Sequence, residues 1–328
     1  MKGAGAAVPS AMRRLLLPLI LLAGCSLPSF VVTPVARPTG LEEEVVEVGS
    51  RDKVLVLPVE GFIANTRAGG GVLAGPGENK VSLLRQQLDR ARGDDRVVAV
   101  VLRISSPGGT VTGSDTMYQM IRDYAEDTGD PVVASVQELG ASGGYYVALA
   151  ADEIHAQPTS IVGSVGVLIQ TFDASGTLAM LGLKSHTITS GELKDMGGPF
   201  DELGDDERAV LQGLVDSYHG RFVSKLAERR PQVTGTDLPT ATDGRIFSGE
   251  QARAVGLIDE LSFLDDAIDR ARELAGRPDA RAVIYKRPYG YDGSIYASQQ
   301  PIAPEAGRPL IALPESATLA PGAYYLYR

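Results

Sequence analysis

Short apolar runs alternate with stretches of helical periodicity from Lys53 onward, and this alternation limits the folds open to the chain. The runs VVAVVLRI (97–104) and PVVASV (131–136) are almost continuously apolar, as strands are when helices cover both faces of a parallel sheet. VLVLPVEGFI (54–63) and KSHTIT (184–189) are also predicted to be strands. Because strands that alternate with helices are joined by right-handed crossovers, we expect an α/β fold of repeated βαβ units with a mostly parallel sheet.

Helical segments are predicted between and after these strands. Asn79 is a candidate N-cap with apolar residues at helical spacing behind it, and a second helix is predicted over roughly 112–126. A third, longer helix is marked by an apolar face made of Leu211, Leu214, Val215, Tyr218, Phe222 and Leu226.

Two further helix starts are predicted from capping residues. Ser248 with Gln251 has the spacing of a capping box, in which each side chain bonds the other's backbone N–H. Ser262 with Asp265 has this pattern in part, and it precedes a helical stretch that ends at Gly276.

The first 25 residues have the features of an export signal. Positive charges precede the apolar run LLLPLILLA (15–23), which is too short to span a bilayer as a mature helix. Residues 22–25 (LAGC) resemble the cleavage and lipidation motif of bacterial lipoproteins. We therefore expect residues 1–24 to be a lipoprotein signal peptide and Cys25, the one cysteine, to carry lipid on the extracytoplasmic side of a membrane. The alternative is an ordinary signal peptide that contains a cysteine.

The rest of the chain divides by composition into three parts. Residues 25–50 contain prolines and an acidic run and are predicted to be a flexible tether, and residues 51–287 form the globular domain. Residues 288–328, rich in Pro, Gly and Tyr, are predicted to be an extended tail. The net charge of −10, with no basic cluster in the domain, argues against a nucleic-acid partner.

A candidate nucleophile follows the strand at 131–136. Residues 140–144 (GASGG) have the G-x-S-x-G spacing of a serine on a tight strand-to-helix turn. Ser142 would stand at a helix N-terminus, where free N–H groups favour a developing negative charge. The alternative is a helix-capping serine on a glycine-rich turn.

A second glycine motif supplies candidate donors for an oxyanion. RISSPGG (103–109) follows a buried strand, and its glycines leave backbone amides exposed. An oxyanion hole needs two converging N–H donors, and Gly143 together with Gly109 (or Gly108) fits those roles. The alternative is a plain turn that ends the strand.

The base that would activate Ser142 is less obvious. The three histidines, His155, His186 and His219, lie in predicted strands or beside a helix face, where a structural or surface histidine is the simpler interpretation. A lysine can also act as the base if its pKa falls from about 10.4 to about 7, which burial can cause. Lys194 in the glycine-rich segment SGELKDMGGPF (190–200) is the candidate, and a solvated surface charge is the alternative.

Five motifs in order resemble the bacterial signal peptide peptidase family SppA in its short, single-unit form, over about residues 53–287. They are SPGG (106–109), GASGGYYVALAAD (140–152), GSVGV (163–167), GELKD (191–195) and GRIFSGEQARAVGLIDE (244–260). The resemblance implies a ClpP/crotonase-like fold and a Ser/Lys dyad, with Ser142 as nucleophile and Lys194 as general base. It also implies that Ser164 orients the lysine amine. Leu193 departs from the family, which more often has Tyr at that position.

These observations lead to an expected function. We expect a membrane-tethered homo-oligomeric serine endopeptidase that degrades cleaved signal peptides and other hydrophobic or unfolded peptides in the cell envelope. No cofactor or metal is expected, because the chain has neither an H-E-x-x-H motif nor a Cys/His cluster. Two alternatives are a crotonase-like acyl-CoA enzyme and a catalytically silent lipoprotein scaffold.

Overall fold

A computed structural model describes residues 40–66, 78–287 and 295, and the backbone of 323–326. The strands in this part of the chain are β1 (Glu42–Glu47), β2 (Lys53–Glu60), β3 (Val97–Ser106), β4 (Gly108–Thr110), β5 (Val132–Ala141), β6 (Glu153–Ala156), β7 (Ile161–Gly163), β8 (Leu168–Ile169), β9 (Ile246–Ser248), β10 (Glu260–Leu261), β11 (Arg281–Lys286) and β12 (Ala323–Leu326). The helices are α1 (Lys80–Arg92), α2 (Val111–Thr128), α3 (Gly143–Ala148), α4 (Ser175–Met180), α5 (Asp205–Arg229), α6 (Asp237–Ala241), α7 (Gly249–Ala254) and α8 (Leu264–Leu274).

The larger sheet has the strand order β1-β11-β2-β3-β5-β6-β10, and β7 pairs with both β5 and β9. Every neighbouring pair from β11 to β10 is parallel, whereas β1 is antiparallel to β11 and β9 is antiparallel to β7. A smaller sheet has the order β4-β12-β8. The predicted α/β fold with a mostly parallel sheet is confirmed.

Both faces of the larger sheet are covered, which explains the continuous apolar runs. On one face, Leu102 and Ile104 of β3 belong to a large core with residues of α1, α2 and α3. On the other face, Ala99 and Val101 belong to a smaller core with residues of α8. Because neighbouring residues of a strand point to opposite faces, a strand buried on both sides is apolar at nearly every position.

Two of the predicted helix starts are confirmed and one is displaced. The Asn79 side chain accepts the Ser82 N–H at 3.0 Å at the start of α1. Ser248 and Gln251 bond each other's backbone N–H at the start of α7, at 3.2 and 2.9 Å. The cap of α8 lies one residue later than predicted, at Phe263, because the N–H of Phe263 donates to Asp266.

The segment 184–189 is not a strand, so that prediction is wrong. Its residues form an exposed loop, in which Ile188 is 99% exposed. Threonine and isoleucine favour the β conformation only where a neighbouring strand is available to pair with their segment. Within the described residues this segment has no strand partner.

The acidic run at residues 42–44, which the sequence places in the tether, belongs to the sheet. It begins β1, whose carboxylates meet basic groups: Glu43 lies 2.6 Å from Lys53, Glu44 lies 3.3 Å from Lys286, and Glu47 lies 2.6 Å from Arg272. Paired charges of this kind can line a sheet edge that isolated carboxylates would destabilise.

The long helix α5 is present, but its apolar face is only partly buried. Phe222 and Leu226 are buried, whereas Leu214 is 41% exposed. Leu214 is one of nine large apolar residues between positions 172 and 214 that are exposed, and we call this stretch the exposed apolar segment (172–214): Phe172, Met180, Leu181, Leu183, Ile188, Leu193, Phe200, Val210 and Leu214.

A search of the described residues for a helix long and apolar enough to cross a membrane finds none. The predicted signal peptide, the lipidation motif at Cys25 and the greater part of the predicted tail lie outside the described residues.

Candidate active site

Ser142 lies on a strained turn between β5 and α3. Its backbone has φ 51° and ψ −117°, a conformation that costs a non-glycine residue about 1–3 kcal/mol. Two hydrogen bonds hold it there: the Ser142 N–H donates to the Gly163 carbonyl at 2.7 Å, and the Ser142 carbonyl accepts the Tyr146 N–H at 2.8 Å. Strain of this kind persists where the surroundings fix it, as they do around reactive groups.

The Ser142 side chain is buried and has no hydrogen-bond partner among the described residues. The residue is 1% exposed, and its Oγ atom is inaccessible. A buried hydroxyl without a partner costs about 1–3 kcal/mol, so this oxygen is kept in place at the expense of stability. Buried polar atoms without a partner can mark a catalytic group, so this observation agrees with Ser142 as the candidate nucleophile.

Gly143 and Gly109 lie side by side next to Ser142. A Cβ built on Gly143 would be 3.0 Å from the Gly109 nitrogen and 2.3 Å from Ser114 Oγ. The absence of a side chain at Gly143 therefore lets β4 approach the start of α3. The amide after the candidate nucleophile and an amide of the neighbouring loop come together, which is the arrangement an oxyanion hole requires.

Between the two predicted alternatives, Gly109 is the better placed donor. The Gly108 N–H donates to Ser106 Oγ at 3.1 Å, so it is already bonded. Thr110 N–H donates to the Ile63 carbonyl and the Gly108 carbonyl accepts from the Ile63 N–H, both at 2.8 Å. Because peptide groups alternate along a strand, the N–H of Gly109 points away from Ile63.

Two buried serines that sequence reasoning missed hold this glycine loop. Ser106 Oγ donates to the Gly61 carbonyl at 2.7 Å while it accepts the Gly108 N–H. Ser114 Oγ donates to the Thr110 carbonyl at 3.1 Å. The position of Ser106 directly before Pro-Gly-Gly at the end of an apolar strand is the sequence signal that could have identified it.

Aromatic residues of α3 lock the turn against the core. Tyr145 is fully buried and its hydroxyl donates to the Leu257 carbonyl at 2.6 Å, and burial raises the pKa of this hydroxyl. Tyr146 donates to Asp115 at 2.7 Å, and its ring packs edge-on against Tyr118 and Phe222. The hydroxyls of Tyr145 and Tyr146 therefore both anchor the helix that begins after Ser142.

The structure places Ser164 beside the turn. Ser164 is 7% exposed, has φ 52°, and follows Gly163, whose carbonyl accepts the Ser142 N–H. Its own N–H donates to the Arg245 carbonyl at 2.7 Å. Ser164 is thus held near Ser142 by the backbone of β7.

Lys194 is not joined to the other predicted site residues by a hydrogen bond. It lies in the exposed loop that precedes α5, and its backbone N–H donates to the Gly191 carbonyl at 3.1 Å. Its side chain forms no hydrogen bond or ion pair with any part of the chain that the structure describes. The structure therefore brings together Ser142, Gly143 and Gly109, with Ser164 nearby, and Lys194 is exposed to solvent without a hydrogen bond to any of them among the described residues.

Two of the histidines are hydrogen-bonded within the fold and the third is at the surface, in agreement with the simpler interpretation. His155 is buried between Ser262 Oγ at 2.9 Å and Glu153 at 3.2 Å. A hydrogen bond from Arg270 lowers the pKa of Glu153 and keeps this carboxylate charged. His219 Nε2 lies 2.9 Å from the Thr242 carbonyl, and His186 lies in the exposed loop at 184–189 rather than in a strand.

A comparison with protein families gives one match. The model of Peptidase family S49 matches residues 124–277, a range that contains Ser142, Ser164 and Lys194.

Curated proteins with protease names are similar to this chain. A Methanocaldococcus jannaschii protein named as a protease is 37% identical over 60% of this chain and 63% of its own length. An Enterococcus faecium protein named as a signal peptide peptidase SppA is 33% identical over 75% of this chain and 70% of its own length. Protease 4 of Salmonella typhi is 32% identical over 66% of this chain, which spans 35% of that protein.

Among solved structures, a ClpP1 mutant from Listeria monocytogenes is similar at 17% identity and a TM-score of 0.41, over 66% of this chain and 95% of that chain.

Proposed function

Since the chain belongs to peptidase family S49, we propose that it is a serine endopeptidase in which Ser142 attacks the peptide carbonyl. The observation that carries this proposal is the buried Ser142 hydroxyl, which lacks a hydrogen-bond partner among the described residues and sits on a strained turn beside two glycine amides. The peptide C–N bond then breaks, the amine leaves with the proton that Ser142 gave up to the base, and the acyl-enzyme that remains is hydrolysed by water in a second, equivalent step.

The amides of Gly109 and Gly143 stabilise the oxyanion in this mechanism. A preorganised N–H donor aimed at the developing charge contributes about 10²–10³ in rate. Ser106, by holding the Gly108 N–H, fixes the loop so that the next amide is directed to the reacting carbonyl. Ser106 is in this sense a positioning residue.

Lys194 is the general base in this proposal, and Ser164 orients its amine. An amine accepts a proton only when it is neutral, and burial away from water favours the neutral form. Lys194 is exposed in the single chain, so its burial has to come from substrate or from a second copy. Leu193, 43% exposed beside it, belongs to the exposed apolar segment (172–214), which assembly of copies would cover. We therefore include homo-oligomerisation in the proposal.

The proposed substrates are hydrophobic or unfolded peptides, including cleaved signal peptides in the cell envelope. The name of the Enterococcus relative and the export features of residues 1–24 support this substrate class. Lipid on Cys25 would tether the domain to a membrane on its extracytoplasmic side. A domain with this acidic balance is not attracted to anionic lipid, so the acyl chains would supply the attachment.

Labelling with a fluorophosphonate probe, together with hydrolysis of an unfolded protein such as reduced casein, tests the proposal. We expect the wild-type chain to be labelled and to cleave casein, and the Ser142→Ala variant to do neither. An acyl-CoA enzyme or a catalytically silent scaffold would give no labelling and no Ser142-dependent cleavage, and either result would refute the proposal.

A further inference from the structure

Charged side chains attach the long helix α5 to the helix that follows the candidate nucleophile. Of the 25 residues of α5, all of them described, Phe222 and Leu226 are the two that are buried. Two arginines in the second half of α5 bind groups next to α3. Arg229 donates to two backbone carbonyls just after α3, at 3.0 and 2.8 Å, and Arg221 binds the carboxylate of Asp115 in α2. With so little apolar burial, these polar contacts have a large part in holding α5 in place.

Asp115 connects α5 to the turn of the candidate nucleophile. Its Oδ1 atom accepts the Tyr146 hydroxyl at 2.7 Å and the Arg221 Nε–H at 3.0 Å. Arg221 Nη2 lies 2.8 Å from Oδ1 and 2.9 Å from Oδ2, so the guanidinium binds both carboxylate oxygens. The N–H of Tyr146 donates to the Ser142 carbonyl. One carboxylate therefore joins Arg221 of α5 to the residue that hydrogen-bonds the Ser142 turn.

The first half of α5 contacts the loop that carries Lys194. Gly197, three residues after Lys194, lies against Leu211 of α5: a Cβ built on this glycine would be 3.9 Å from the Leu211 side chain. Leu211 and Arg221 are separated by about 15 Å along the axis of one continuous helix. The Lys194 loop and the ion pair with Asp115 therefore contact the same helix.

We propose that Asp115 is a positioning residue for the peptidase reaction. By binding Tyr146 and Arg221 at once, its carboxylate sets the position of α5, and with it the Lys194 loop, relative to the Ser142 turn. Asp115 takes no proton in this role and acts through the two side chains that it binds. The inference rests on the proposed Ser/Lys peptidase function and adds to it a residue that sequence reasoning did not identify.

The exposure of this ion pair separates a positioning role from a purely structural one. The side chains of Asp115 and Arg221 are 30% and 48% exposed, and ion pairs open to water to this degree contribute little to stability. A reaction rate depends more steeply on geometry, since a displacement of about 1 Å can lower it about 100-fold. Loss of the ion pair should therefore change kcat much more than Tm.

Arg221→Gln in the full-length chain tests the proposal, with Arg270→Gln as the matched control. Arg270 also binds both oxygens of one carboxylate, that of Glu153, and is 40% exposed, but it lies in α8 on the other face of the sheet. With a quenched fluorescent hydrophobic peptide, we expect kcat to fall at least about tenfold in Arg221→Gln at unchanged KM. Arg270→Gln should keep the wild-type kcat and KM, and the two variants should have similar Tm values. Equal losses of kcat in the two variants would overturn the proposal.

A double-mutant cycle tests whether Arg221 acts through Asp115. In the Asp115→Ala chain the connection is already broken, so adding Arg221→Gln should leave kcat unchanged. An equal loss of kcat from Arg221→Gln with and without the carboxylate would show that Arg221 acts by another route, and would overturn the proposal.

Tyr146→Phe gives a measurement that does not depend on how the Asp115 variant folds. It removes the hydroxyl bound to Asp115 and keeps the ring that packs edge-on against Tyr118 and Phe222. We expect a lower kcat at unchanged KM, together with slower fluorophosphonate labelling of Ser142, because labelling needs the same base.

Failure of this inference and failure of the peptidase proposal give different results. Ser142-dependent hydrolysis with the same kcat in wild type, Arg221→Gln and Tyr146→Phe overturns the positioning role and leaves the peptidase intact. Wild-type hydrolysis no faster than that of Ser142→Ala overturns the peptidase proposal, and the inference that rests on it falls with it.

Discussion

The backbone N–H of Ser142 donates to the carbonyl of Gly163 at 2.7 Å, which joins the turn of the candidate nucleophile to the residue before Ser164. Among the described residues other than glycine, Ser142 and Ser164 are the two with positive φ, at 51° and 52°. One hydrogen bond therefore couples two strained turns, and a change at either is expected to disturb the other.

Replacing the candidate nucleophile should stabilise the protein while it abolishes activity. Ser142→Ala removes a buried hydroxyl that has no partner in the described structure, and we expect a gain of about 1 kcal/mol, or about 2–4 °C in Tm. Ser160 is the matched control, since it is equally buried but its hydroxyl donates to the Val136 carbonyl and accepts the Gln157 N–H. Calorimetry should show a lower Tm for Ser160→Ala. A lower Tm in both variants would show that the Ser142 hydroxyl also makes a stabilising interaction.

The proposed base can be tested with two substitutions of one lysine. Lys194→Ala and Lys194→Arg should both lower peptide hydrolysis at least about 100-fold, because guanidinium stays protonated and cannot accept the Ser142 proton. Lys184→Ala, at another exposed lysine of the same loop, serves as control and should keep normal turnover. Near-normal turnover of Lys194→Ala would rule this base out.

A methyl group at Gly143 should damage the oxyanion hole. Its Cβ would lie 2.3 Å from Ser114 Oγ and 3.0 Å from the Gly109 nitrogen, so the two amides would be forced apart. We expect kcat to fall about 100-fold or more in Gly143→Ala, measured with a quenched fluorescent hydrophobic peptide as substrate. Gly220→Ala in α5, where an added Cβ meets nothing within 4 Å, should leave kcat unchanged.

The ion pairs of Lys53 should make stability depend on acid pH. Burial favours a raised pKa at Asp94, but hydrogen bonds from Lys53 and Arg96 outweigh it and lower the pKa to about 2. A carboxylate with a lowered pKa stabilises the folded state above its unfolded pKa, near 4, and this contribution is lost as pH falls from about 4 to about 2.

Asp94→Asn should therefore cost about 2 kcal/mol at pH 7, with the difference from wild type closing as the pH approaches 2. Urea unfolding at several pH values measures this, and Asp95→Asn, at the exposed neighbour, is the control. A difference that stays constant down to pH 2 would show that the charge on Asp94 is not responsible.

The exposed apolar segment (172–214) should mediate self-association. Ile188→Asp together with Met180→Asp places charges where side chains are 99% and 85% exposed, and should reduce the particle mass in light scattering toward that of one chain. Peptide hydrolysis should fall together with the particle mass if assembly buries Lys194. Val48→Asp is the control, because Val48 is 93% exposed but lies outside the segment. A wild-type chain that is monomeric and fully active at micromolar concentration would contradict this prediction.

The sequence predicted those parts of the fold that depend on interactions between residues close together in the chain. The apolar runs of β3 and β5, the Asn79 cap and the Ser248–Gln251 box each depend on residues close together in the chain. The turn at Ser142 was predictable for the same reason, since its glycines and the strand before it are contiguous.

Features that depend on distant residues could not be predicted in this way. The acidic run at 42–44 becomes a strand because β11 lies beside it, more than 200 residues later. β12 is placed by edges of β4 and β8, and no pattern within 323–326 specifies those partners. Ser262 bonds His155 across two strands instead of capping its own helix, which only the assembled sheet makes possible.

The antiparallel direction of β1 determines on which side of the domain the chain enters. Glu42, the first residue of β1, lies opposite Lys286 at the carboxyl end of β11, and the carboxyl ends of β3 and β5 lead to Gly109 and Ser142. The chain therefore enters β1 at the end of the sheet that carries the candidate active site.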